Sequence, residues 1–347
     1  MQTQKSSRWV TIGYQLLFIF AALVFTTIIL LLAGAPPLRA YQQLIFGSVG
    51  SITNISDVLV AWAPLLITTA GLLITFSAGL WNIGIEGQII LGAIFTTWVL
   101  RSLQDSSLAP GLIIALGILA GIVGGTLWAC LVGALKTFGG VNEIFGGLGL
   151  NFIANTLILW LIYGPWRRPG VASLSGTVAF PARLSLPTFK GLSLSPWELI
   201  FAIASILIVY ILLRNTYIGL RLKAVGKNLR SSFNIGVPTW QYMMLSFAIC
   251  GAFAGLTGAI QVTGVYHRLL PYITSGYGFL GLMLALLVNY QAIWVAPIAL
   301  FYAALNIGSV QLPINLKLDS SLSGVLQGML VLFVLIGEGV RQRYVKK

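Results

Sequence analysis

Apolar residues along this chain fall into runs too long for the elements of a soluble core. A run of about 20 such residues is the length at which a helix crosses the hydrocarbon layer of a bilayer. Read by run length, the first span covers 13–34, and a loop over 35–57 carries Pro36, Pro37, Asn54 and Asp57. Further spans are predicted at 58–78, 83–100, 110–134, 142–163, 197–213, 241–264, 277–290, 292–310 and 321–337. Between them lie a long polar segment rich in Pro, Ser and Gly over 164–196 and a basic segment over 214–240, and a basic tail closes the chain over 338–347. The pattern predicts one transmembrane domain, 1–347: an all-α polytopic membrane protein of about ten transmembrane helices, with discontinuous helices near the membrane midplane.

Composition excludes most alternatives. The chain is 58% hydrophobic and 8% charged, a balance that leaves too few charges to solvate the outside of a soluble domain. The net charge of +13 does not point to nucleic acid, because the basic residues lie between apolar runs and are not interleaved with aromatics on one face. Lys5, Arg8, Lys136, Arg214, Arg221, Lys223, Lys227, Arg230, Arg341, Arg343, Lys346 and Lys347 fall on one side of the predicted topology. Arg39, Arg101, Arg167, Arg168, Arg183, Lys190, Arg268 and Lys317 fall on the other. The richer side is expected to be cytoplasmic, which places both termini there and the 164–196 loop outside. Lys5 and Arg8 ahead of an apolar run, with Ala33-Gly34-Ala35 at its end, resemble a signal peptide; the length of the run and the Pro36-Pro37 pair favour an uncleaved first span. Cys130 and Cys250 sit in apolar runs, far apart, and read as packing residues.

Many of the 39 glycines lie inside the spans. Gly117, Gly121 and Gly125, Gly251 and Gly255, and Gly324 and Gly328 each repeat at four-residue spacing, which puts small residues on one helical face. Packing within the bundle is the expectation for each.

The segment Gly79-Leu80-Trp81-Asn82-Ile83-Gly84-Ile85-Glu86-Gly87-Gln88 leaves almost no room for a loop between two spans. Asn82, Glu86 and Gln88 are polar groups at membrane depth, and glycines weaken the helix around them. Two readings stand: a broken helix lining a cavity, or a tight surface turn capped by Glu86. A second segment, 139–147, again combines Asn142 and Glu143 with flanking glycines; Asn142 either lines the same path or simply caps the next helix. Asn151 and Asn155, one turn apart, share a helical face.

Catalytic motifs fail. Gly276-Tyr277-Gly278-Phe279-Leu280-Gly281 has dinucleotide-motif spacing but neither a preceding strand nor a later acid. Gly226-Lys227 is followed by Asn228 where a phosphate-binding loop needs Ser or Thr. The single histidine, His267, cannot assemble a triad or a metal site. In 214–240, Leu222, Val225, Leu229 and Phe233 are spaced as an apolar stripe on a short basic helix ended by Gly236 and Pro238. Such a helix either lies on anionic lipid or docks in a groove of a soluble partner.

The combination GLWNIGIEGQIILGA (79–93), GGVNEIFGGLGLNFIAN (139–155), GLRLKAVGKNLRSSFNIGV (219–237) and GYGFLGLMLALL (276–287) resembles the permease subunits of bacterial ABC importers for nucleosides and simple sugars, within the wider group of ribose-type and branched-chain amino acid permeases. After GYGF the chain departs from the family pattern: Leu280 and the run LLVNY stand where an acidic or polar residue and an LLG run are usual. The resemblance implies a pore made with a second permease subunit (itself or a homologue), a cytoplasmic ATP-binding subunit, and an extracytoplasmic binding protein that delivers the solute. It implies that ATP is used by the partner subunit and that this chain binds no cofactor and is not an enzyme. On this reading the home of the chain is the bacterial plasma membrane. Asn82, Glu86, Gln88, Asn142, Glu143, Asn151 and Asn155 are then expected along the substrate path. Arg221, Leu222, Val225, Gly226, Lys227, Leu229, Arg230 and Gly236 are expected in the coupling region. The rival from another class is an ion-coupled secondary transporter with Glu86 and Glu143 as proton carriers.

Overall fold

In the computed structural model the described residues are 20–316, apart from 22, 33, 171–175 and 289, together with scattered positions between 325 and 337. They contain helices and turns and no strand. The predicted tail, 338–347, and the start of the first span lie outside the described residues.

The chain divides into two compact units. The first comprises residues up to Val58 and from Leu300 onward. Within it, α1 (Leu23–Leu32) is bent by 113° from α2 (Pro37–Val49). Leu30, Ala35, Ala40 and Leu312 form its small core, and Tyr41 donates to the Leu23 carbonyl at 3.0 Å. The predicted 35–57 loop is corrected here: α2 fills its first half, and α3 (Ile52–Ser77) starts well before the predicted span. The misreading came from Pro36-Pro37. Proline at the first helical position costs nothing, since its missing N–H would have had no intrahelical partner there.

The second unit runs from Leu59 to Ala299. After most of α3 come α4 (Ile85–Leu103), α5 (Pro110–Thr137) and α6 (Glu143–Tyr163). The polar connection that follows contains a 3-10 turn, Ala182–Leu184. Then come α7 (Pro196–Asn215), the short α8 (Tyr217–Lys227) and α9 (Leu229–Asn234), and α10 (Thr239–Ile260), which continues into a π-helical turn, Gln261–Val265. A non-helical stretch leads to α11 (Tyr277–Leu287), and a 3-10 turn leads to α12 (Val295–Leu316), whose residues from Leu300 onward belong to the first unit.

Among the described residues, six helices are long and apolar enough to cross a membrane: Ile52–Ser77, Pro110–Thr137, Glu143–Tyr163, Pro196–Asn215, Thr239–Val265 and Ala292–Val310. The polytopic all-α prediction holds, and so does its discontinuity. The predicted span at 277–290 is α11, with 11 residues. At 1.5 Å per residue it is about 16 Å long, half the hydrocarbon thickness. Such a half-helix is tolerated in a membrane only where protein satisfies its free ends.

The centre of this unit is built on glycine. A Cβ on Gly92 would lie 2.5 Å from Gly255 Cα, and one on Gly125 would lie 2.6 Å from the same atom. Gly258 abuts the backbone of α4 as closely, at Ile89 and Ala93, and Gly124 of α5 lies 2.8 Å from the Leu91 carbonyl oxygen by the same measure, so α4, α5 and α10 touch main chain to main chain. In lipid, where no hydrophobic force draws helices together, such close approach supplies the dispersion that does. The Gly117, Gly121, Gly125 and Gly251, Gly255 repeats therefore pack the bundle internally, as expected. Gly324 lies outside the described residues.

Candidate functional site

Between α3 and α4 the chain leaves helical geometry for seven residues, 78–84, with Gly79 at φ +72°. The break is held by side-chain amides. Asn82 and Gln88 donate to each other's carbonyl oxygens, at 3.0 and 2.8 Å, and Asn82 also donates to Cys250 Sγ at 3.1 Å. Asn151 reaches across from α6: its Oδ1 accepts the Gly87 N–H at 2.8 Å, and its Nδ2 donates to the Ile83 carbonyl at 2.9 Å. Backbone groups freed by the break thus find partners at both of its ends, as a non-aqueous surrounding demands. Asn82 and Gln88 are both fully buried.

Glu86 serves a second broken element. Its Oε1 accepts the Phe279 N–H at 3.0 Å, and the Gly278 N–H and Thr274 hydroxyl also face the carboxyl. A carboxylate thus occupies the N-terminus of the half-helix α11, where orphan N–H groups and the helix dipole favour negative charge. Gly278 gives the carboxyl its room: a Cβ there would lie 2.6 Å from Glu86 Oε1, so the Glu86 side chain would have to move.

The other polar residues lie at the edge of this centre, where the Glu143 carboxyl faces the Trp81 N–H of the break. Asn142 caps α6, accepting the Ile144 N–H at 2.9 Å, and Glu143 lies 2.6 Å from Lys136. Asn155 donates to the Asn151 carbonyl at 3.0 Å and faces outward from the isolated chain. No group of three or more His, Cys, Asp or Glu able to hold a metal occurs among the described residues.

The basic segment is not the single striped helix that its spacing predicts. Asn228, at φ −159° and ψ 105°, interrupts it, and its side chain caps α9 by accepting the Ser231 N–H at 2.9 Å. Leu222 and Val225 point into the bundle core, while Leu229 and Phe233 on α9 are exposed. The interruption rotates the second half of the stripe away from the first. Arg221 donates to the Tyr242 hydroxyl at 2.9 Å and stacks on the Tyr217 ring at 4.8 Å. Its guanidinium pKa is raised, chiefly by the Tyr242 hydrogen bond. Lys227, Arg230 and Gly236 are exposed. Gly226 closes against the α3–α4 turn: a Cβ on it would lie 2.9 Å from Ala78 C and Gly79 N. The basic segment therefore touches the start of the break that Asn82 and Gln88 hold.

Residues 54–335 match the family described as the permease component of branched-chain amino acid transport systems. The chain belongs to this family of permeases. It is similar to the glucose ABC transporter permease protein TsgB13 of Haloferax volcanii, 29% identical over 95% of this chain and 88% of the relative. It is likewise similar to the guanosine ABC transporter permease protein NupP of Bacillus subtilis, 26% identical over 94% of this chain and 93% of the relative. A third relative, the nucleoside ABC transporter permease protein NupB of Lactococcus lactis, is 28% identical over 81% of this chain and 79% of the relative. This protein is a permease subunit of the ABC type, a multi-pass transport component.

Two parts of the permease's centre escaped sequence reading. Cys250 packs in the core and also takes the spare Asn82 donor, for which a cysteine in an apolar run gives no signal. The Glu86 partners come from backbone N–H groups of α11, a contact across 193 positions of sequence. The only hint was the glycine-rich start of the 276–287 motif.

Proposed function

We propose that the permease moves a nucleoside or simple sugar-like solute into the cell by alternating access, driven by ATP hydrolysis on a separate cytoplasmic subunit. The observation that carries this reading is the junction at Gly226. A segment with exposed apolar residues, suited to a soluble partner, rests on the backbone turn that opens the Asn82–Gln88 break. Movement at α8 and α9 has a direct route to the membrane interior. Asn82, Glu86, Gln88 and Asn151 hold the broken helices beside the path, and Asn155 faces it or a second permease subunit, a copy or a homologue. Asn142 and Glu143 stand at its cytoplasmic end. An extracytoplasmic binding protein delivers the solute, and this chain binds no cofactor. Glucose and guanosine, named for two relatives, share a hydroxyl-bearing ring that hydrogen-bonding groups recognise without charge. The proton-carrier reading has less support, because Glu143 is paired with Lys136 and Glu86 is held by backbone donors.

The test of coupling separates the two halves of the basic segment. Leu229→Asp with Phe233→Asp should insert normally but lose co-purification with the ATPase and lose uptake. Leu222→Asp should instead fail to accumulate, since lost packing alone costs on the order of 2–5 kcal/mol. Normal ATPase binding and uptake in the α9 double variant would refute the docking role.

Orientation follows from the charges: both termini cytoplasmic, the 164–196 connection outside. In a background lacking Cys130 and Cys250, Lys190→Cys should react with an impermeant external thiol reagent and Ser231→Cys should not. Reversed labelling would overturn the assignment.

A further inference from the structure

We propose that Glu198 and Gln261 form a solute-binding subsite for a vicinal diol of a ribose or pyranose ring, closed over in this structure by the 177–187 connection. The proposal rests on the solute class proposed above and adds the groups that recognise it.

Two elements meet there, α7 and the π-helical turn after α10. Glu198 lies in the first turn of α7, fully buried, where Ser195 and Glu198 form a capping box. Only one carboxyl oxygen serves that box, through a long 3.4 Å contact from the Ser195 N–H, and Oε1 has no hydrogen-bond partner. Gly264, in the π-helical turn, abuts this oxygen so closely that any side chain would strike it. Gln261 opens the same π-helical turn; it is 1% exposed, and neither its amide oxygen nor its amide nitrogen has a partner.

Buried polar atoms are nearly always paired, and each unpaired one costs about 1–3 kcal/mol. Three such atoms on two side chains, beside a π-helical turn of the kind enriched at functional sites, call for an occupant. The chemistry of the set selects one. A carboxylate accepts two hydroxyl donors side by side, and an amide both donates and accepts, which matches two adjacent ring hydroxyls. The ribose of guanosine and the ring of glucose both present them.

The cover is also built. Leu186 donates its N–H to the Thr263 carbonyl at 2.9 Å, Phe180 to the His267 carbonyl at 2.8 Å, and Thr177 to the Leu269 carbonyl at 3.0 Å. The connection is thus fastened to the π-helical turn and the residues after it by a few backbone hydrogen bonds. Lifting it exposes the subsite to the side from which a delivered solute arrives.

The test uses the complete ATP-driven complex in vesicles, with the binding protein unchanged. Uptake of labelled guanosine is compared with that of 2′,3′-dideoxyguanosine, and uptake of glucose with that of 3-deoxyglucose, which lacks both the 2,3- and the 3,4-diol. The two pairs separate a nucleoside source of the diol from a free sugar. Glu198→Gln, which keeps size and the capping contact, should lower the ratio of uptake of the diol-bearing member of the transported pair to that of its deoxy partner about tenfold. Gln261→Leu should shift the same ratio in the same direction. Equal loss for both members, or an unchanged ratio, would mean that water or packing alone occupies the site and would overturn the proposal. Failure of the wild-type complex to take up either solute would overturn the solute class, and the subsite with it.

Discussion

Glu86→Gln is expected to retain substantial uptake, and Glu86→Leu to lose it roughly tenfold or more. The glutamine Oε1 can still accept the Phe279 N–H that Glu86 accepts at 3.0 Å. Leucine leaves that donor, the Gly278 N–H and the Thr274 hydroxyl facing an apolar side chain. Each lost buried partner costs about 1–3 kcal/mol, and 1.4 kcal/mol is a factor of ten. The penalty falls on the N-terminus of a half-helix, where the first backbone N–H groups have no intrahelical partner. The same variants separate the energy sources. Uptake by wild type and by Glu86→Gln should stop when ATP is depleted and survive collapse of the proton gradient at constant ATP. Complete loss in Glu86→Gln, together with abolition by an uncoupler at constant ATP, would favour the ion-coupled mechanism.

Gly255→Leu should abolish the folded permease. A Cβ at this position would lie 2.9 Å from Gly121 C and 3.0 Å from Ile122 Cα, both main-chain atoms that cannot rotate aside. On its own, overpacking costs about 1–3 kcal/mol. Here relief requires separating α10 from α5, which removes the close contacts that hold these helices together in lipid. Gly149→Ala is the control, because nothing lies within 4 Å of the added carbon. Size-exclusion profiles of detergent extracts should show a single sharp species for the control and aggregate or no protein for Gly255→Leu. A monodisperse, transport-active Gly255→Leu permease would remove the glycine contacts from the account of folding.

The legible parts of this protein were those that depend on neighbours in sequence. Run length located most of the spans within a few residues, because a bilayer imposes the same thickness on every helix. Spacing at four residues identified Gly121, Gly125, Gly251 and Gly255 as packing positions, because i and i+4 share a face whatever that face meets. The errors also have local causes. Pro36-Pro37 read as a loop although Pro37 starts a helix, and a regular apolar stripe was drawn through Asn228, whose extended backbone breaks it.

By itself the sequence determined the solvent of this protein, its helical class and the polar segments that interrupt its spans. Cost decides these: an apolar run must reach lipid, and a polar group at depth must find a partner. Only the tertiary structure decided which partner. Asn82 could have faced a cavity, but Gln88 and Cys250 take its hydrogen bonds. Glu86 could have capped its own helix; it serves the start of α11 instead. Glu198 joins the capping box of α7, and only the fold sets Gly264 against its other carboxyl oxygen. Hydrogen-bonding capacity is a property of the residue, whereas its fulfilment depends on chain segments that meet only when the helices pack.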